Sequence, residues 1–248
     1  MDTDRLREII VGSSDTIVTK LCIAELEEQV TQALKVLSFA CTEATENLTR
    51  SDAADAIGRL MSLVDECVVP ALREATDDVD FLVRTSAIEA LCEIGVTDIG
   101  VEETEQAAMA LFKNDKDPLV RITAAMTLGR LNCEDSIPLL EKRIRRISKT
   151  NYERYYIAHA LTNLGLEKYW EVFLSGLEDE PFRHFVAVTM DAVVNSDNAE
   201  EALVALKKAL KLDKHESTKR EIQTTIDEIT EKFGLSKGAK PKAKRSAR

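Results

Sequence analysis

DPLVRITAAMTLGRL, residues 117–131, opens on Asp-Pro, carries an arginine at its fifth position and then sets small or apolar residues at helical spacing. Counted from Arg121, Ala124 and Ala125 stand at +3 and +4, Leu128 at +7 and Leu131 at +10. Residues so spaced share one face of an α-helix. Asp before Pro is a start signal: the carboxylate caps, and proline takes the first helical position, where its missing N–H costs nothing. The pattern recurs along the chain. Arg50 precedes Ala53, Ala54, Ile57 and Leu60, and Arg84 precedes Ala87, Ile88, Leu91 and Ile94. Arg154 precedes Ile157, Ala158, Leu161 and Leu164, and Arg183 precedes Val186, Ala187, Met190 and Val193. The anchors lie 34, 37, 33 and 29 residues apart.

A second helical stretch follows each anchor, at 67–76, 104–114, 136–147, 169–177 and 199–212, with Pro70 and Pro138 near two of the starts. One helix pair cannot bury its apolar stripe, but stacked pairs bury a continuous core. The expected fold is therefore all-α: an α-α superhelix, a solenoid of about five helix pairs, with an N-terminal helical extension and a C-terminal capping helix. Residues 1–46 are expected to form the extension, 47–213 the array, 214–234 the cap and 235–248 a disordered basic tail. Within the extension, Ile17, Leu21, Val30, Leu34, Leu37, Cys41, Ala44 and Leu48 suggest one long helix, or two collinear ones, over 15–48. It is read as covering the array's first apolar edge, with pairing to a second copy as the alternative.

Asp117, Pro118, Val120, Arg121, Ala124, Ala125, Leu128, Gly129 and Leu131, with their equivalents in the other units, resemble the HEAT repeat family, and in particular the short HEAT repeats of the phycobilin-lyase type. The resemblance spans roughly 47–213 and is strongest in the second and third units. It implies a right-handed superhelix of helix pairs and a protein-binding role. It also implies a second reading, a chromophore-lyase-type or chaperone-like protein.

Asp80, Asp117 and Asp179 each stand four residues before Arg84, Arg121 and Arg183. That spacing suggests acid–base pairs on one helical face. Arginines repeated in every unit, Arg50, Arg84, Arg121, Arg154 and Arg183, are read with Asp117 as structural positions that tie units together.

Net charge is −11, unevenly placed. Seven cations follow Glu231, leaving 26 basic against 44 acidic residues in 1–231, a net of −18. An acidic body does not attract a phosphate backbone; the tail alone could. The five cysteines, Cys22, Cys41, Cys67, Cys92 and Cys133, show no CxxC and no short spacing, and are read as buried, reduced thiols. No apolar h-region or membrane-length apolar run is present, so a cytoplasmic protein is expected. His159, His184 and His215 have no metal-ligand spacing, and no phosphate-cradling loop or nucleophile elbow is found. No catalytic residue, metal or cofactor is expected.

One stretch stands out, EKRIRRISKTNYERYY at 141–156. It supplies Lys142, Arg143, Arg145, Arg146, Lys149 and Arg154, and all four tyrosines and the only tryptophan lie within 152–170. Arginine, tyrosine and tryptophan are enriched at binding hot spots. Lys142, Arg143, Arg145, Arg146, Lys149, Tyr152, Tyr155 and Trp170 are the candidate partner-binding set; the competing reading packs the aromatics into the core. The function expected is a non-enzymatic scaffold or adaptor that binds a protein through its solenoid surface. Nucleic-acid association through the tail and self-association through the N-terminal helix remain alternatives.

Overall fold

A computed structural model of the chain describes residues 16–60, 66–148 and 151–235. Its regular elements are helical, with no strand among the described residues. The basic tail beyond 235, together with Lys149, lies outside them. The chain divides into two compact units, residues 1–131 and 132–248, and the boundary falls inside the third sequence repeat.

The first unit holds α1 (Thr16–Glu43), α2 (Asn47–Arg59), α3 (Val69–Ala75), α4 (Phe81–Gly95), α5 (Val101–Asn114) and α6 (Pro118–Arg130). The first helices of successive repeats pack side by side, α2 on α4 and α4 on α6. The residues at +3, +4 and +7 from each anchor are buried: Ala53, Ala54, Ile57; Ala87, Ile88, Leu91; Ala124, Ala125, Leu128. Small size there lets backbones approach. At Gly58 a Cβ would sit 3.0 Å from Ala90 Cα, so a larger residue would require the α2–α4 crossing to give by a few tenths of an ångström.

α1 packs on α2 and α3 and buries Leu34 and Cys41. The expected run to residue 48 ends earlier, at Glu43. The Arg50 guanidinium takes the carbonyls of Ala44 and Thr45, 2.8 and 3.1 Å away, and closes the turn between α1 and α2. Leu48 therefore starts the next helix and faces solvent.

The second unit holds α7 (Ile137–Arg146), α8 (Glu153–Asn163), α9 (Trp170–Ser175), α10 (Glu180–Val188), α11 (Met190–Val193), α12 (Ala199–Leu212) and α13 (Glu216–Lys232). α7 and α9 pack on α8, and α13 packs on α10, α11 and α12. Ile222, Ile226 and Ile229 are buried along α13, the stripe that its spacing predicts.

The repeated arginines differ from the expected pairing. For Arg50, Arg84 and Arg183 the carboxylate partner is not four residues behind but about one repeat ahead. Arg50 binds Asp78 at 2.6 and 3.1 Å, Arg84 binds Asp115 at 2.7 and 2.9 Å, and Arg183 binds Asp213 at 2.9 Å. Each guanidinium also takes backbone carbonyls just upstream of its own helix: Asp78 and Val79 for Arg84, Asp115 and Lys116 for Arg121, Leu177 for Arg183. Asp80 and Asp117 are instead helix caps that accept the amides of Leu82 and Leu119. Asp78, Asp115 and Asp213 each accept the amide two residues on, so one carboxylate joins two units and sets the entry of the next helix. Burial would raise these three aspartates. The arginine hydrogen bonds and backbone amides outweigh it, and all three are held below the ordinary range.

Cys41, Cys92 and Cys133 are buried, but Cys67 is exposed, against the expectation of buried thiols. It sits in a one-turn 3₁₀ helix, Glu66–Val68, which turns Val68 inward and leaves the residue before it outside.

Candidate binding surfaces

The 141–185 region of the second unit gathers most of the candidate residues, in two layers. In the inner layer the Arg143 guanidinium forms a two-pronged pair with the buried Glu153 carboxylate at 3.1 and 2.7 Å. This pins the end of α7 against the first turn of α8, where Arg154 also donates to the Ile144 carbonyl at 3.2 Å. Tyr155 is only 8% exposed, its ring beside Phe182 and its hydroxyl on Asp179 at 3.1 Å. Trp170 is 6% exposed, with its indole N–H on Glu201 at 3.3 Å. Tyr156 stacks on Phe185 at 3.8 Å, and His159 lies between the rings of Phe173 and Phe185. Tyr155 and Trp170 thus hold the unit together rather than facing outward, and the partly exposed Arg143 is tied to Glu153.

The outer layer keeps Tyr152, 37% exposed and stacked on Phe182 with rings 5.7 Å apart and 8° from parallel. α7 presents Lys142, Arg145 and Arg146 to solvent. Glu141 accepts from Arg145 at 2.8 Å, from Lys168 at 2.5 Å and from the Tyr169 hydroxyl at 3.0 Å. Two cations share that one carboxylate, so Lys142, Arg145, Arg146 and Lys168 leave a positive excess. Some cation is expected where a helix ends, since carbonyls point out there; three arginines in one last turn exceed that need. Lys168 was missed in the sequence because it stands apart from the 142–154 run and reaches the patch only through Glu141.

A groove in the first unit went unrecognised in the sequence. It encloses about 550 Å³ across the first helices of three repeats, between Asp55, Gly58 and Arg59 of α2, Glu89 and Glu93 of α4, and Met126 and Arg130 of α6. The Arg130 guanidinium donates to both Glu93 oxygens, at 2.5 and 3.2 Å. Burial of its carboxyl between helices, and then Asp55 and Glu93, push Glu89 up from the ordinary glutamate value. The signal lay in the repeat register. The positions at +5 and +9 from the anchors, on the face opposite the core, are Asp55, Glu89, Met126 and Arg59, Glu93, Arg130.

Among the described residues no group of three or more His, Cys, Asp or Glu could hold a metal ion, and no helix is long and apolar enough to cross a membrane.

Comparison with known proteins agrees with this architecture. The family model described as the PBS lyase HEAT-like repeat matches residues 120–145. The complex of CpcE and CpcF of phycocyanin lyase from Nostoc sp. PCC7120 contains a chain of the same fold. The match has a TM-score of 0.56 at 20% identity and covers 92% of this chain and 95% of that one. Among curated proteins, no sequence matches. The chain is an all-α HEAT-like helical-repeat protein, and one stretch of it, residues 120–145, is similar to the PBS lyase HEAT-like repeat. The expectation of a non-enzymatic protein does not stand, because the solved complex with this fold is a lyase. Missing motifs exclude only the chemistries those motifs serve, and a fold of this kind does not rule catalysis out.

Proposed function

We propose that the chain is a subunit of a chromophore-lyase-type complex and works through contacts with a protein partner. The observation that carries this reading is the fold match, which runs over nearly the full length of both chains. The outer surface of the second unit supports it: Lys142, Arg145, Arg146 and Tyr152 combine cations with an exposed aromatic ring, the chemistry of a partner-binding hot spot. The same cations suit the carboxylates of an open-chain tetrapyrrole carried by a partner. The aromatic cluster beneath is packed core, so the chain's own share of the work lies at this surface.

The test is a titration of the purified chain with biliverdin, alone and with proteins that co-purify with it, followed by absorbance and circular dichroism. A red-shifted visible band with induced dichroism, reached only when the co-purified partner is present, is the expected result. A bilin spectrum that stays that of free pigment under both conditions contradicts the lyase-type reading.

A further inference from the structure

The solvent face of α2, α4 and α6 repeats a second pattern. Two residues before each anchor stand Leu48, Leu82 and Leu119, exposed by 61, 36 and 43%. Seven residues on, two helical turns along the same face, are Asp55, Glu89 and Met126 in the groove. Single exposed leucines need no explanation, but a leucine at one register of three consecutive repeats makes an apolar row. Capping fixes two of the three helix starts: the Leu82 and Leu119 amides donate to the side chains of Asp80 and Asp117, and the Leu48 amide donates to the side chain of its neighbour Asn47. Between row and groove lie Ser86 and Thr123, small side chains that leave a floor.

The charges on this face are unequal. Glu93 and Arg130 neutralise each other. Asp52, Asp55 and Glu89 remain against Arg59 alone, two carboxylates in excess. The whole of residues 1–131 holds 25 acidic against 12 basic residues, so the surrounding field has the same sign. An apolar row with carboxylates two turns away complements a helix with leucine-like residues on one side and lysine or arginine beside them.

We propose that this face of α2, α4 and α6 is a docking surface for a basic amphipathic helix of a partner protein. It lies in the first unit and does not depend on the chromophore reading of the second. An incoming ammonium or guanidinium settles between Asp55 and Glu89, and the apolar side of the helix covers Leu82 and Leu119.

The experiment uses the full chain, isotope-labelled for amide and side-chain carboxyl NMR, and an 18-residue amidated peptide of leucine and lysine at helical spacing. A second peptide replaces each lysine with glutamate. The expected result is saturable binding of the lysine peptide, with shifts centred on Leu48, Leu82, Glu89 and Met126. Asp55→Asn with Glu89→Gln preserves shape and weakens binding roughly tenfold. Leu82→Ser with Leu119→Ser weakens it further, with circular dichroism confirming that each variant is folded. Shifts centred elsewhere, equal binding of the glutamate peptide, or affinity unchanged by the carboxylate variants overturns the proposal.

Discussion

Replacing Asp213 with asparagine tests the interrepeat arginine pairs where they are most enclosed. Side-chain exposure at the Arg183–Asp213 pair is 6 and 2%. Asparagine keeps an oxygen for the His215 amide but turns an N–H₂ toward the Arg183 guanidinium, donor against donor. Arg183 would keep only its backbone acceptors, the Leu177 carbonyl at 2.7 Å and the Glu178 carbonyl at 3.5 Å. Breaking one side of a buried ion pair costs about 3–5 kcal/mol, and because asparagine keeps the shape and the acceptor for the His215 amide, Asp213→Asn falls near the lower end, about 3 kcal/mol. For a unit of this size that is a fall of roughly 10–20 °C in the melting transition of the second unit. Arg183→Lys keeps the charge but not the fork, and is expected to lose about 1–2 kcal/mol. Asp213 is held below its ordinary value in the folded state, so its contribution is complete above the unfolded pKa of about 3.9 and disappears as pH falls through the lower folded value. Differential scanning calorimetry at pH 7 and pH 3 should show a wide gap between wild type and Asp213→Asn that narrows in acid. A gap below about 2 °C at neutral pH, or one that keeps its size at pH 3, refutes the reasoning.

Gly176→Ala should destabilise the second unit by about 1–3 kcal/mol, since its Cβ would meet Val186 Cγ2 at 2.6 Å and Tyr155 Cδ1 at 3.2 Å; chemical denaturation measures it. Tyr155→Phe should lose about 0.5–1.5 kcal/mol with its hydroxyl bond to Asp179, in the same assay. Thiol labelling followed by peptide mapping should find Cys67 modified fast in the native protein. Cys41 should react slowly even at pH 9, because burial pushes its thiol up to about 11; equal rates for the two would contradict the assigned burial.

The helix pairs could be read from the sequence because burial imposes a period. Alanine at +3 or +4 and large apolar residues at +7 mark the face that packs, and no distant information is needed to see it. The arginine pairs could not be read in the same way. Helical spacing offers Asp80 to Arg84, but that carboxylate is already committed to capping α4, and the true partner, Asp115, lies a repeat ahead. Tyr155 and Tyr156 show the same limit: neighbours on a helix point in different directions, and only the placement of Phe182, Asp179 and Phe185 decides which ring goes where. The groove escaped notice because its charged residues look like an ordinary solvated face until three helices are set side by side.

The most direct test of the central account is the mass of the native complex. The tagged chain and its Lys142→Glu/Arg145→Glu/Arg146→Glu variant would be recovered from the source cells and compared by native mass spectrometry. The account predicts a defined stoichiometric complex for the unaltered chain, containing a second helical-repeat subunit or a bilin-bearing protein, and its loss in a variant that remains folded. Recovery of the chain alone, or of the same complex from both forms, would contradict it.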